Sequence, residues 1–244
     1  MAEPGSGVSV VVPVVNNAGG MRRLLASLQG SKVELVVVDG GSTDGLRESL
    51  RDSGDVQMTL IERPAQGIAD AFNVGIEAAS GAYICCCGAD DLWLPAFHEF
   101  LQDTLQRADD VISCASVQYE NDRCDRYVRH PKPDRLWLRM HLFHAASIVP
   151  RCVYERVGLY DTTYRLAMDA EWFHRALAAG ERIRTQCNAV ARVSLGGVSD
   201  REFRIALAEY RNSVIRHGIC STAVAHLAFA TVVSLKTLRR ALAQ

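Results

Sequence analysis

The stretch VSVVVPVV, residues 8–15, is apolar at all but one position and rich in β-branched side chains. A second run of this kind, VELVVV at residues 33–38, follows a short amphipathic segment at residues 21–28. Strands that are apolar on both faces are typical of parallel sheets covered by helices on each side. The two runs therefore predict the first two strands of a buried parallel sheet.

Short strands and short helices continue to alternate through the first half of the chain. The spacing predicts helices at 45–51, 67–79 and from Pro95 onward, and strands at 57–61, 82–86 and 111–117. Pro95 fits the first helical position, and Ile68, Phe72 and Ile76 give the helix at 67–79 its apolar face. This order predicts a doubly wound, mostly parallel α/β sheet, in which ligands bind beyond the carboxyl ends of the strands.

The pattern weakens after residue 120. Residues 121–133 are charged and contain two prolines, which predicts a loop or an edge hairpin. Further along we expect helices at 152–157, 169–178 and 200–216, and a strand at 185–195.

The composition excludes several classes of protein. A formal net charge of -1 over 244 residues gives no overall basis for nucleic-acid binding. None of the eight cysteines is spaced as CxxC, which argues against a zinc ribbon and a disulfide scaffold and fits a reducing cytosol. The N-terminal MAEPGSG lacks the apolar core of a signal peptide. We therefore expect a cytoplasmic protein.

Neither of the common phosphate-binding glycine motifs is present. The first predicted strand runs into Pro13-Val14-Val15-Asn16-Asn17, without GxGxxG, and no GxxxxGK[ST] occurs. A metal held by acids is the alternative device, and Asp90-Asp91, at the end of a predicted strand, is the candidate. One carboxylate would bind Mg²⁺ or Mn²⁺ on diphosphate oxygens, and the other a ribose or sugar hydroxyl. The residues alone fit equally well an acid cluster at a helix N-terminus, favoured by its dipole.

Three segments in order resemble the family 2 glycosyltransferases of the GT-A fold, in the branch that builds bacterial exopolysaccharide and O-antigen chains. They are VSVVVPVVNN at 8–17, VELVVVDGGSTDG at 33–45 and GIADAFNVGIEAASGAYICCCGADD at 67–91. The segment HAASIVPRCVYERVGLYDTTYRLAMDAEWFHRAL at 144–177 is similar to the acceptor-side half of that family. The resemblance spans roughly residues 7–217 and leaves 218–244 as a C-terminal helical tail.

The resemblance implies the role of each candidate residue. Asp91, supported by Asp90, would hold Mn²⁺ or Mg²⁺, and Asp169 would be the catalytic base. The donor, a UDP- or GDP-sugar, would contact Pro13, Val14, Asn16, Asp39, Ser42, Asp70, Asn73, Asp90 and His144. The reaction would be an inverting displacement by a hydroxyl of a saccharide or lipid-linked saccharide acceptor.

Simpler structural roles stay open for several of these residues. Asp169 fits a helix N-cap, Asp39 fits a turn before two glycines, and residues 42–44 fit a cap for the following helix. The spacing of His141 and His144 would place them on one helix face, although no further zinc ligands accompany them. Trp93 and Trp137 fit sugar stacking or core packing.

Two rival functions also remain. A nucleotidyltransferase of similar fold would need a basic, glycine-rich loop after the first strand, but residues 14–20 contain no Lys or Arg. A catalytically inactive, glycosyltransferase-like binding module would have no need for the acids at 39, 90, 91 and 169.

The C-terminal tail has a basic amphipathic pattern. Residues 218–235 carry no formal charge with His226 neutral. Lys236, Arg239 and Arg240 then share one predicted helix face, and Leu235, Leu238 and Leu242 share another. The pattern suits an anionic membrane surface, here the inner face of the plasma membrane. It equally suits packing on the domain or on a second subunit in a homodimer.

Overall fold

The computed structural model of the protein describes residues 7–51, 56–64, 66–120, 126–194 and 196–242. The strands are β1 Val8–Val14, β2 Glu34–Asp39, β3 Gln57–Glu62, β4 Tyr83–Cys86, β5 Leu92–Trp93, β6 Ile112–Glu120, β7 Arg126–Arg129, β8 Ser147–Pro150 and β9 Ile183–Ser194. The helices are α1 Ala18–Leu28, α2 Leu46–Leu50, α3 Ile68–Ala78, α4 Ala96–Arg107, α5 Arg151–Val157, α6 Met168–Ala178, α7 Val198–Arg201, α8 Phe203–Arg216 and α9 Thr222–Leu242. Short 3-10 helices occur at Pro133–Arg135 and His144–Ala146.

The strands form one sheet in the order β3-β2-β1-β4-β8-β6-β9-β5, with β7 paired to β6. All pairings among β3, β2, β1 and β4 are parallel. Beyond β4 the sheet is mixed, because β8 runs antiparallel to both β4 and β6 whereas β6 and β9 are parallel. The predicted α/β class with a doubly wound, mostly parallel nucleotide-binding sheet is confirmed, and each antiparallel pairing among the described strands involves a strand of the acceptor-side half.

Helices cover both faces of the first four strands. In β1, Val10 and Val12 pack into the core layer of α1, while Val11 faces Phe72 of α3 on the other side. A Cβ on Gly75 of α3 would overlap Val11 Cγ1, so glycine there allows the helix to lie close against the sheet. Consecutive valines are therefore buried on opposite faces, which is why the strand carries no polar alternation.

Some expected elements differ in detail. Ile68 is 48% exposed and is not part of the apolar face of α3, because it stands at the first turn, outside the core layer. Pro95 has helical backbone angles but precedes α4 by one residue. The helix expected at 200–216 is divided at Glu202, where φ is -97° and ψ is 35°. Of the two alternatives for residues 121–133, a loop or an edge hairpin, the hairpin forms, because β7 pairs antiparallel with β6. Residues 121–125, and Leu195 at the end of the strand expected at 185–195, lie outside the described part.

The C-terminal helices pack together on the acceptor side. Ala225 of α9 joins Tyr210 and Val214 of α8 in a small cluster with Ala167 and Ala170 near the start of α6. Lys236 Nζ donates to Asp200 Oδ1 at 2.9 Å, so this end of α9 is attached to α7. The side chains of residues 239–242, which include Arg239 and Arg240, lie outside the described set. Over the described ranges, none of the helices combines the length and hydropathy of a membrane span.

Candidate active site

The turns that follow β1 and β2 are joined by hydrogen bonds at the carboxyl edge of the sheet. Pro13 and the buried Val14 end β1, and the Asn16 backbone then takes a left-handed conformation with φ 51°. Asn16 Oδ1 accepts from the Thr43 N–H at 2.8 Å, and the Asn16 N–H donates to Ser42 Oγ at 2.8 Å. Asn and Asp tolerate this backbone conformation better than other non-glycine residues. The residues predicted to bind the sugar donor at this edge, Pro13, Val14, Asn16 and Ser42, therefore lie in one hydrogen-bonded rim.

Asp39, the last residue of β2, is buried behind that rim. Its Oδ1 accepts from the N–H groups of Gly41 at 3.1 Å and Ser42 at 2.8 Å. The turn role considered from the sequence is thus present. Because both bonds use Oδ1, Oδ2 takes no part in the turn, and a ligand contact is compatible with it.

The residues after Asp39 do not cap the helix that follows them, so that interpretation is wrong. The N-cap residue of helix α2 is Gly45, with φ 81°, and no side-chain hydrogen bond caps this helix. Asp44 Oδ2 instead accepts from the Ala18 N–H at 2.8 Å, and Asn17 Oδ1 accepts from the Gly20 N–H at 3.0 Å. The turn folds back on β1, so its acid satisfies the start of α1, and each such cap is worth about 1 kcal/mol.

The acid pair follows β4 in a tight turn around Gly88. The Gly88 N–H donates to Asp91 Oδ2 at 2.8 Å, and the Asp91 N–H donates to the Gly88 carbonyl at 3.2 Å. A Cβ at position 88 would lie 2.8 Å from Asp90 Oδ1 and 3.4 Å from Asp91 Oδ2. Glycine therefore leaves room for both carboxylates to fold over the same position. The strand β5 separates the pair from α4, so the pair is not an acid cluster at a helix N-terminus.

Asp91 is 6% exposed, while Asp90 is open to solvent. Burial raises the pKa of Asp91 to about 6, and the nearby His144 opposes this shift while Asp90 adds to it. A bound cation would offset the cost of this buried charge. In the described part of the chain no three His, Cys, Asp or Glu side chains converge into a metal cage. Two carboxylates suit Mg²⁺ or Mn²⁺, which keeps other positions for phosphate oxygens and water.

A second polar pair comes from the other half of the sheet. His144 starts the 3-10 helix before β8, and its Nδ1 lies 3.3 Å from Asp169 Oδ2. The ring of Phe72 meets the His144 ring edge-on at 5.8 Å. Burial lowers the pKa of His144, but the Asp169 hydrogen bond and the charges of Asp169, Asp91 and Asp90 outweigh it and raise the pKa. His144 therefore stands in the field of both the acid pair and Asp169.

Asp169 occupies the second position of α6, and Ala167 is the N-cap residue, so the N-cap interpretation of Asp169 is wrong. A carboxylate in the first turn is still favoured by the helix dipole. Glu171, two residues on, is fully buried and accepts from Arg175 at 3.0 and 2.9 Å and lies 2.9 Å from His217 Nε2. Glu171 thus joins α6 to His217, the residue that follows α8, while Asp169 is left facing the site.

Two predicted donor residues of α3 have partners within the protein. Asp70 Oδ1 lies 3.3 Å from Arg63 Nη2 in a partly exposed ion pair. Asn73 Nδ2 donates to the Tyr160 carbonyl at 2.9 Å, and its Oδ1 accepts from the Tyr160 N–H at 2.9 Å. Both ends of the Asn73 amide are therefore used to hold α3 against the acceptor half, and its contact with a donor stays a prediction.

His141 does not share a helix face with His144, because it lies in the loop before the 3-10 helix. Burial and the neighbouring cations, with Arg129 the strongest, lower the pKa of His141 to about 4. Trp93 is a core residue, since its Nε1 donates to the Ala145 carbonyl at 3.3 Å and its ring stacks on Phe97 at 4.7 Å. Trp137 is 37% exposed.

An aromatic pair near the site was not indicated by the sequence pattern. Tyr119 at the end of β6 stacks on Tyr127 of β7, with ring centroids 5.5 Å apart and 19° between the planes. The Arg129 guanidinium lies 5.5 Å from the Tyr119 ring centre. The strand β7 has only four residues, and the arginines at both of its ends hide the alternation of apolar and polar residues that indicates a strand.

The sequence of this chain is similar to those of known glycosyltransferases. A sequence model described as "Glycosyl transferase family 2" matches residues 9–160. A Mycobacterium tuberculosis protein named "PGL/p-HBAD biosynthesis glycosyltransferase" is 28% identical over 183 residues, which cover 66% of each chain. An uncharacterized glycosyltransferase of Rickettsia typhi is 26% identical over 68% of this chain. The chain spans 57% of the length of that Rickettsia protein.

Solved structures share the fold. A mannosyltransferase of Pyrobaculum calidifontis, in complex with GDP-Man and Mn²⁺, has a TM-score of 0.68 and 20% identity, covering 99% of this chain and 80% of that one. TarS residues 1–349 of S. aureus, in complex with UDP-GlcNAc, has a TM-score of 0.62 and 16% identity, covering 93% and 71%. The expected GT-A architecture is thereby confirmed.

Proposed function

Because this chain belongs to glycosyl transferase family 2, we propose that it moves a sugar from a nucleotide-sugar donor to an acceptor hydroxyl, with inversion at the anomeric carbon. The observation that carries the proposal is the meeting of two polar pairs at one edge of the sheet. Asp90 and Asp91 come from the donor half, and His144 with Asp169 from the acceptor half. The mutual charge effects on the pKa values of Asp91 and His144 support their proximity.

The donor lies along the rim formed by the turns after β1 and β2. Asp39 Oδ2 accepts from an imide N–H of the base, which both uracil and guanine offer. Asn16, Ser42 and the backbone of residues 13–14 flank the nucleoside, while Asp70 lies further along. UDP- and GDP-sugars are favoured because one of the two structural neighbours binds UDP-GlcNAc and the other binds GDP-Man.

Asp91 and Asp90 would hold Mn²⁺ or Mg²⁺ against the donor diphosphate. Such an ion neutralises charge on a leaving phosphate. The buried, desolvated Asp91 and the room that Gly88 leaves for both carboxylates fit this role. Asp90 also reaches solvent, so it can contact a donor hydroxyl.

Asp169 is the base. It takes the proton of the acceptor hydroxyl while the oxygen bonds to the anomeric carbon and the bond to the donor phosphate breaks. One positioned carboxylate suffices for a single displacement, whereas retaining hydrolases use two close carboxylates. His144, whose Nδ1 lies 3.3 Å from Asp169 Oδ2, orients this carboxylate.

The acceptor class that we propose is a saccharide or a lipid-linked saccharide, used in the cytoplasm. The described cysteines are all unpaired, which fits a reducing compartment. Leu227, Leu235 and Leu238 of α9 are exposed and supply an apolar stripe for a membrane surface or a second subunit. Of the basic face, Lys236 is already paired with Asp200, which leaves less charge for anionic lipid.

A donor panel tests the proposal. The full chain is titrated with UDP-, GDP- and dTDP-sugars, with and without Mn²⁺, and the released nucleotide is identified. We expect one nucleoside diphosphate to be released with the sugar transferred to water or to an added glycoside. Release of pyrophosphate would instead indicate a nucleotidyltransferase, and binding without turnover would indicate an inactive binding module.

A further inference from the structure

The hairpin of β6 and β7 lies beside the reaction centre by topology. The strand β8 is antiparallel to both β4 and β6, so β4 and β6 run in the same direction and end at the same edge of the sheet. Asp90 and Asp91 follow the end of β4, and Tyr119 stands one residue before the end of β6. The end of β6 therefore borders the proposed site on the acceptor side.

The face on which the aromatic pair stands follows from strand register. Tyr119 is the cross-strand partner of Tyr127, and Val117 is the partner of Arg129. Side chains two apart share a face, and Val117 belongs to the core layer that also contains Phe143. Tyr119, Tyr127 and Arg129 therefore share one face, and Val128 lies on the other.

Contacts connect this face to the catalytic pair. The Tyr119 ring meets the Phe143 ring edge-on at 6.3 Å, and Phe143 directly precedes His144. Burial raises the pKa of Tyr119 to about 12, with Arg129 opposing the shift and Tyr127, Asp169 and Asp91 adding to it. Tyr119 thus contacts the residue next to His144, and the charges of Asp169 and Asp91 act on its phenol.

Tyr119 is held by contacts within the protein, whereas the ring of Tyr127 is exposed to solvent. Arg129 Nη2 donates to the Met140 carbonyl at 2.6 Å, and its guanidinium lies over the rings of Tyr119 and Phe143. Tyr119 is partly buried against the core, whereas Tyr127 is 49% exposed. A preorganised aromatic surface beside polar, catalytic groups is typical of ligand sites.

We propose that Tyr119 and Tyr127 form the platform on which the acceptor sugar packs. The C–H face of the sugar ring lies against Tyr127, and its reacting hydroxyl points toward Asp169. This proposal rests on the glycosyltransferase function proposed above and adds the residues that bind the acceptor and one property that they require of it: a terminal sugar ring with an apolar face.

The test uses octyl glycosides of glucose, galactose, mannose and N-acetylglucosamine as acceptors, with the nucleotide sugar that the full chain hydrolyses. We expect Tyr127→Ala to raise the KM for the octyl glycoside about 3- to 10-fold, the scale of one lost aromatic contact. The affinity of the same variant for the nucleoside diphosphate should stay at the wild-type value. Tyr127→Phe keeps the ring and should retain the wild-type KM.

Val128→Ala is the matched control, because Val128 is 43% exposed on the same strand but faces the other side. Its acceptor KM should equal that of the wild type. The proposal is overturned by equal KM values for Tyr127→Ala and Val128→Ala. It is also overturned if the donor is hydrolysed but no octyl glycoside is used. Absence of both donor binding and hydrolysis would instead refute the proposed glycosyltransferase function, and the platform with it.

Discussion

The donor half and the acceptor half of the sheet hold their polar groups in different ways. At the carboxyl ends of β2 and β4, the acids Asp39 and Asp91 accept from backbone N–H groups two or three residues away, within tight, glycine-containing turns. In the acceptor half, His144 and Asp169 contact each other across 25 residues of sequence. The carboxylates of Asp39 and Asp91 are thus held by local backbone geometry, whereas the acceptor-half pair is held by a contact between distant side chains.

Asp91→Asn, in the donor half, should have the largest effect on activity. The amide keeps the shape of the side chain but has one fewer acceptor oxygen and no charge for a metal. We expect transfer to fall below detection and donor affinity in Mn²⁺ to drop, with the thermal midpoint nearly unchanged. Steady-state rates, donor titration and a melting curve measure the three quantities. Full wild-type activity in EDTA would contradict the metal role.

Asp169→Asn should break the acceptor half without affecting the donor. Turnover should fall by a factor on the order of 10²–10⁴, the usual worth of a positioned base, while the Kd for the donor stays close to that of the wild type. A collapse of donor affinity would instead make Asp169 a donor-site residue.

Glu171→Gln is the matched control for Asp169→Asn, two residues along the same helix. It removes the charge that Arg175 and His217 share, so it should lower the free energy of unfolding by about 1–3 kcal/mol. Chemical denaturation measures this loss. Turnover at a temperature where the variant is folded should fall far less than in Asp169→Asn.

Asp39→Ala and Asn73→Ala sharpen the comparison inside the donor half. Asp39→Ala should weaken UDP or GDP about 10-fold, whatever sugar is attached, because a hydrogen bond to the base is lost. Asn73→Ala should instead cost about 1–3 kcal/mol of stability, because the Tyr160 backbone groups lose their partners. Calorimetric titration and denaturation separate these effects, and the reverse pattern would exchange the two roles.

The smallest expected effect concerns the C-terminal helix. Three cations give weak, reversible attraction to an anionic leaflet, at about 1 kcal/mol each, and Lys236 is already paired. We expect partial flotation of the full chain with anionic liposomes at low salt, and less for a chain that stops after His217. Equal recovery of both forms in the soluble fraction would assign α9 to packing against α8 or a second copy.

The sequence predicted best what local patterns encode. Consecutive valines at 10–12 predicted a strand buried on both faces, and the strand-end position of Asp39 and Asp91 predicted their common edge. Long-range pairing was not readable: the cap that Asp44 gives to α1 and the clamp between Asn73 and Tyr160 join segments 26 and 87 residues apart. The sequence did not indicate Tyr127, because its strand is too short and too charged for the alternation of apolar and polar residues to appear.

The strand pairing that joins the two halves is short. The strands β4 and β8 pair over two positions, Tyr83 with Pro150 and Ile84 with Val149, and the Asn73 amide bonded to the Tyr160 backbone fastens the same junction from the helical layer. An apolar core also crosses this junction, since Ile84 and Cys86 of the donor half pack in one cluster with Val149 and Tyr154 of the acceptor half. A chimera that joins this donor half to the acceptor half of a relative must therefore keep both sides of the clamp and matching apolar residues on both sides of the junction.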